Sequence, residues 1–260
     1  MAYDAPMRPV HRMTVKVRSY ETDVNGRLQV PTLCKLLQEA ATIHAADLGV
    51  SVESLIDDGC AWVLSRMHVI VDRWPRTDDE IVIATWPEAL NRLTTERRFE
   101  VCMADGSVLA RATTLWIVLD LERRRPIRVP SRIVDALSRH HVGDTPIRPD
   151  KQADPDPVER ETDFRVRRSD LDMADHVNNT SYVEWIVEAV PDEVWSTHAL
   201  VELDISYLAE CHRGATIVSG CGCLRNTDGF EFLHRLARRR DSGVVARART
   251  SWRPAEPASR

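Results

Sequence analysis

The sequence predicts an α+β protein made of two copies of one unit. Each unit is an antiparallel sheet wrapped around a central helix, and the two units pair as an internal pseudo-dimer. Three observations carry this reading. First, Val17–Ala40 reads over Val166–Ala189 at an offset of 149 residues, with Val17/Val166, Arg18/Arg167, Asp23/Asp172, Glu39/Glu188 and Ala40/Ala189 identical. Second, residues 110–116 read over residues 246–252 at an offset of 136, identical at five of seven positions. A period this long indicates a duplicated domain, since solenoid repeats run about 20–50 residues. Third, each copy shows one helical stretch followed by strand patterns. A sheet with one apolar face needs a cover, and one helix with one sheet makes a small core, so the two sheets are expected side by side with the two-fold relation of a dimer.

The elements follow in order. Met13, Val15 and Val17 alternate as in a half-buried strand, and the polar stretch Glu21–Gly26 follows as a loop. A long helix comes next: Pro31 suits its first turn and Gly49 its stop. Leu33, Leu36, Leu37, Ala40, Ala41, Ala45 and Leu48 share one face, together with His44, which reads as a packed core residue. Strand patterns at Val69–Val71, Ile81–Ile83, Phe99–Val101 and Leu109–Leu119 are separated by Asp78-Asp79, Asn91 and Asp105-Gly106. The second copy repeats the plan with a strand at Phe164–Val166 and a shorter helix at Asn179–Val190 ended by Pro191. Strands follow at Val201–Tyr207, Ala215–Leu224, Phe230–Ala237 and Val244–Trp252. The difference of 13 residues between the offsets is expected as an extra turn around Val52–Gly59. The Pro- and Asp-rich stretch between the copies reads as a linker. The expected division is 10–130, linker 131–160, and 161–255.

Composition narrows the function classes. Hydrophobic residues make up 43% and charged residues 29% of the 260 residues, an ordinary globular balance. A net charge of −5 speaks against nucleic acid as partner. No apolar run approaches the roughly 18 residues of a membrane span. The N-terminus lacks the basic start and apolar stretch of a signal peptide. Six cysteines show no C-x-x-C pair and no metal-ligand spacing, so a cytoplasmic protein without metal or cofactor is expected. Two basic clusters, Arg123–Arg125 with Arg128 and Arg238–Arg240, read either as solvated turns or as a landing surface for an acidic partner.

The copies differ in the loop before the helix. His176 stands opposite Arg27, and Asn178-Asn179 opposite Gln29-Val30. Asp172 and His176 lie beside a helix N-terminus at Val177–Thr180, whose backbone N–H groups can stabilise an oxyanion. Asn178 and Asn179 also suit plain capping, and Asp172 suits a plain loop carboxylate. Glu210 ends an alternating strand, and Cys211 beside it reads as a nucleophile or a buried thiol. No G-x-S-x-G, P-loop or G-x-G-x-x-G is present.

The stretch Asp170-Leu171-Asp172-Met173-Ala174-Asp175-His176-Val177-Asn178-Asn179, continuing to Glu188, resembles the acyl-ACP thioesterase family of plants and bacteria. So do Tyr207–Cys211, Leu36–Ala41, Trp62–Arg66 and Ile83–Pro87, so that the resemblance spans residues 12–253. It implies two tandem hotdog domains and hydrolysis of the thioester between a fatty acid and acyl carrier protein. It further implies Asp172, His176 and Glu210 as catalytic residues, with Cys211, Asn178 and Asn179 as further candidates. The first copy would hold the acyl chain and the second the chemistry. The 34-residue separation of His176 and Glu210 agrees with the family pattern, whereas Ala174 stands where the family carries asparagine. Acyl carrier protein is the implied partner, a homodimer the candidate assembly, and acyl-CoA an alternative substrate. Two other classes stay open: a non-catalytic acyl-chain binding protein and an enoyl-thioester hydratase.

Overall fold

The computed structural model describes residues 10–138, 152–226 and 229–255. The first copy contains β1 (His11–Lys16), α1 (Val30–Asp47), α2 (Val52–Asp57), β2 (Cys60–Val71), β3 (Glu80–Leu90), β4 (Thr94–Met103), β5 (Val108–Asp120), β6 (Arg125–Ile127) and α3 (Ser131–Ser138). The second contains β7 (Arg160–Arg165), α4 (Asn179–Val187), α5 (Asp192–Thr197), β8 (His198–Tyr207), β9 (Thr216–Asn226), β10 (Gly229–Arg238) and β11 (Val244–Pro254).

Helix α1 begins and ends where its residues dictate. Pro31 occupies the first turn, where its missing N–H leaves nothing unpaired. Gly49 takes a left-handed φ of 72° and donates to Ala46 O at 2.9 Å, which stops the helix. Leu33, Leu37, Ala40, Ala41 and His44 are buried on one face, as the spacing predicts. Each buried leucine contributes about 1.5–3 kcal/mol, so packing rather than intrinsic propensity holds α1.

Among the described residues eleven strands form one sheet in the order β1-β3-β4-β5-β2-β8-β11-β10-β9-β7, with β6 on β5. The order is a palindrome of the two copies. They meet where β2 and β8 run antiparallel, from Arg66 opposite Ser206 to Ile70 opposite Glu202. On the covered face α1 packs against α4. One continuous core joins Leu33, Ile81 and Phe99 of the first copy to Val183, Ile186 and Trp252 of the second. These are two tandem hotdog domains in a pseudo-dimer. Across the seam, Arg66 Nε donates to Asp204 Oδ1 at 2.7 Å, and His68 Nε2 lies 2.8 Å from Glu202 Oε1.

Three details depart from the sequence reading. Both copies carry a short second helix, α2 and α5, so the surplus of the first copy is not a turn at Val52–Gly59. It lies mostly in the main helix, 18 residues in α1 against 9 in α4. Helix α4 ends at Val187 rather than Val190, and Pro191 serves as the N-cap of α5 instead of the stop of α4. The start of the stretch 131–160 is helical. Ile133 and Leu137 of α3 are buried with Val50, Leu55, Val118 and Val129 in a second cluster on the first copy. Residues 139–151 of that stretch fall outside the described residues. Among the described residues no helix is long and apolar enough to cross a membrane.

Candidate active site

The loop ahead of α4 is fixed by two carboxylates. Asp170 is buried; its side chain accepts from Arg167 N at 2.6 Å and from the Arg167 guanidinium at 2.9 Å, while its carbonyl accepts from Asn178 N at 2.8 Å. Asp172 Oδ1 accepts from Ala174 N at 2.9 Å and His176 N at 3.2 Å, and Asp172 N donates to His176 O at 2.8 Å. The first copy builds the same loop. Asp23 Oδ1 accepts from Asn25 N at 2.8 Å and Arg27 N at 2.9 Å, and Asp23 N donates to Arg27 O at 2.7 Å. Even the left-handed position is shared, Gly26 at φ 70° and Asp175 at φ 59°. Asp172 therefore shapes the turn that presents His176, a job Asp23 performs where no histidine is present.

His176 and Glu210 come together: His176 Nε2 lies 3.6 Å from Glu210 Oε2, each side chain about one-third exposed. Glu210 reaches this place because β8 leaves the sheet after Tyr207. Leu208 N and Ala209 N both donate to Val245 O, at 2.9 and 3.2 Å, which turns the chain outward. The His212 ring meets His176 edge-on at 5.2 Å. His176, Glu210 and His212 offer three ligand atoms within 4.8 Å of one another, the donor types of a metal site. Arg124 Nη2 donates to the same Glu210 oxygen at 2.5 Å and opposes a cation there.

The remaining candidates have other engagements. Cys211 is buried, and burial pushes its thiol pKa up, which keeps it protonated. Its carbonyl accepts from Val177 N at 3.1 Å and so ties the histidine loop to the end of β8. The Asn178 side chain caps α4 by accepting from Thr180 N at 2.9 Å and Thr180 Oγ1 at 2.8 Å. The N–H groups of Val177, Asn178 and Thr180 are thus spent inside the protein, contrary to the expectation of an open N-terminus across Val177–Thr180. Asn179 lines the cavity.

That cavity, about 1190 Å³, is walled by both copies. Trp62, Leu64 and Ile117 come from the first and Tyr182, Tyr207 and Glu210 from the second. Arg124, Arg213 and Arg238–Arg240 stand on it, so one arginine of the first basic cluster and all three of the second meet at one opening. Trp62 also borders a small cavity of 60 Å³ between α1 and its sheet, lined by Ala41, Ala45, Trp116 and Arg97. The buried Arg97 guanidinium donates to Thr85 Oγ1 at 3.2 Å and lies 2.9 Å from His44 Nδ1; burial lowers its pKa to about 10, so it stays charged at neutral pH. The sequence reading missed Arg124, His212 and the loop-fixing role of Asp170. Only Asp170 and Arg124 lay in segments it had singled out.

Two family models match: the acyl-ACP thioesterase N-terminal domain over residues 8–137 and the C-terminal domain over residues 153–254. The chain belongs to the acyl-ACP thioesterase family. It is 28% identical over 260 residues to the chloroplastic palmitoyl-acyl carrier protein thioesterase of Cuphea hookeriana, covering 94% of this chain and 62% of that protein. This family member thus spans about three-fifths of the length of that curated relative. Two solved family structures superpose closely. The 12:0-ACP thioesterase of Umbellularia californica gives a TM-score of 0.84 at 26% identity, covering 95% of this chain and 94% of the other. An acyl-ACP thioesterase from Bacteroides thetaiotaomicron gives 0.83 at 27% identity, covering 94% and 97%.

Proposed function

We propose that this chain hydrolyses the thioester of acyl-acyl carrier protein and releases a free fatty acid. The observation that carries the reading is the 3.6 Å approach of His176 and Glu210 on a cavity walled by both copies. In this mechanism Glu210 takes a proton from water as the water oxygen attacks the thioester carbonyl. The Asn179 N–H, at the start of α4, stabilises the resulting oxyanion together with the helix dipole. The carbon–sulfur bond then breaks, and the proton passes through His176 to the departing thiolate. Asp172 acts by holding the His176 turn. Cys211 remains a protonated packing residue and takes no covalent part. A general base works within about 2.6–3.2 Å of its proton source, so one water between Glu210 and the carbonyl fits this role.

The carrier-protein partner is supported by Arg213 and Arg238–Arg240 at the opening, because an acidic partner is drawn to such a field. The acyl chain is assigned to the first copy, supported by the apolar wall of Trp62, Leu64 and Ile117 that this copy gives the large cavity. Six free cysteines support a reducing, cytoplasmic setting. The reading is tested by thiol release from acyl-ACP and acyl-CoA of varied chain length. Release that favours acyl-ACP supports it, and equal or greater turnover of acyl-CoA shifts the carrier assignment. A second reading, acyl-chain binding without catalysis, is motivated by Ala174, which places a methyl where the family carries an amide. It predicts binding of acyl-ACP with no thiol released.

A further inference from the structure

Arg124 belongs to a basic run that reads as a solvated turn, yet it departs from its neighbours in two ways. It sits in the turn between β5 and β6 at φ 50°, a left-handed conformation that side chains other than Asn and Asp seldom take. The turn is closed by Arg124 N donating to Asp120 O and Arg123 N donating to Asp120 Oδ1, both at 2.8 Å. This geometry aims the Arg124 side chain out of the first copy and across to the second. There Nη2 meets Glu210 Oε2 at 2.5 Å, the same oxygen that faces His176 Nε2 at 3.6 Å.

We propose that Arg124 is a positioning residue for hydrolysis, supplied by the first copy to the chemistry of the second. The inference rests on the hydrolase reading of Glu210. A glutamate on an open loop has three freely rotating torsions, and a base displaced by about 1 Å loses about a hundredfold in rate. The guanidinium removes that freedom by clamping one carboxylate oxygen beside His176, which leaves Oε1 to receive the proton of the attacking water. Ala174 carries no donor for this purpose, so the anchor comes from the other copy. An exposed ion pair contributes little to stability, and carrier docking is the competing use of an arginine at this opening. The two uses predict different kinetics: an anchor acts on kcat through Glu210, whereas a docking group acts on KM and independently of Glu210.

The test compares wild type, Arg124→Gly, Arg124→Lys, Glu210→Gln and the Arg124→Gly/Glu210→Gln double variant, with acyl-ACP as substrate. Glycine accepts φ 50° without strain, so Arg124→Gly keeps the turn. The expected result is a fall in kcat of about tenfold to a hundredfold with KM unchanged. Partial rescue of Arg124→Gly by added guanidinium is expected, with Arg124→Lys intermediate, and no further loss in the double variant. An unchanged kcat, a rise in KM alone, or a full additional loss in the double variant would each overturn the role of Arg124 while leaving the hydrolase reading intact. Absence of thiol release from wild type removes the hydrolase reading, and this role with it.

Discussion

His234 gives a stability prediction that can be worked from its surroundings. It lies on β10 with no exposed surface, its Nε2 2.9 Å from Thr250 Oγ1 on β11. Its Nδ1 is buried without a hydrogen-bond partner. Burial lowers the imidazole pKa from 6.5 to about 3. The folded protein therefore keeps a neutral ring at pH values where the unfolded chain binds a proton. The stability this group contributes is complete above the unfolded pKa and is lost as pH falls toward the folded one. The slope is about 1.4 kcal/mol per pH unit, so at about pH 4.5 the group removes about 2.5 kcal/mol relative to neutral pH. That is a large share of the roughly 5–15 kcal/mol of a typical domain. Replacing the ring by His234→Gln keeps a partner for Thr250 and abolishes the titration. Urea unfolding of both proteins, followed by tryptophan fluorescence at neutral pH and near pH 4.5, cancels the other titrating groups. The variant should gain about 2.5 kcal/mol on wild type between the two conditions. An equal gap at both pH values would refute a buried neutral histidine.

Three further outcomes follow from the site. Cys211→Ser should retain wild-type turnover, since the thiol is buried and held protonated; loss of activity in a folded variant would restore the covalent route. Ala174→Asn adds an amide donor beside the His176 turn and should raise kcat about tenfold, the worth of one hydrogen bond to developing charge, as read by thiol release; an unchanged rate would dismiss the amide as a missing part. Arg213→Glu with Arg240→Glu should raise KM for acyl-ACP at low salt, with the effect shrinking as salt rises. Salt-independent KM values would count against electrostatic docking.

Much of the fold is legible in local sequence because its signals are local. Pro31 and Gly49 delimit α1 through their own backbone geometry, and Asp78-Asp79, Asn91 and Asp105-Gly106 fall at the turns of the first sheet. The duplication foretells the pseudo-dimer, since two half-covered sheets have one economical way to pair. The length of α4 is less legible: the apolar pattern runs on to Val190, and only tertiary packing decides that the helix stops at Val187. At the site, the His176–Glu210 pairing came from the family resemblance, because nothing local joins a loop to a strand end 34 residues away. Asp172 shows the limit of motif reading. Its loop hydrogen bonds are those of Asp23, so its carboxylate is explained by turn geometry before any chemistry. Arg124 was hidden because its partner lies 86 residues further on, and a run of arginines gives no sign of which one crosses to the other copy.

The role of Glu210 as the base of a thioester hydrolase is probed by Glu210→Gln. Glutamine keeps the size of the side chain and a hydrogen-bond acceptor for Arg124 but cannot take a proton. Thiol release from acyl-ACP should fall about 10²–10⁴-fold, or about 2.7–5.4 kcal/mol of barrier, while the variant still binds acyl-ACP. Turnover close to that of wild type would rule out Glu210 as the base.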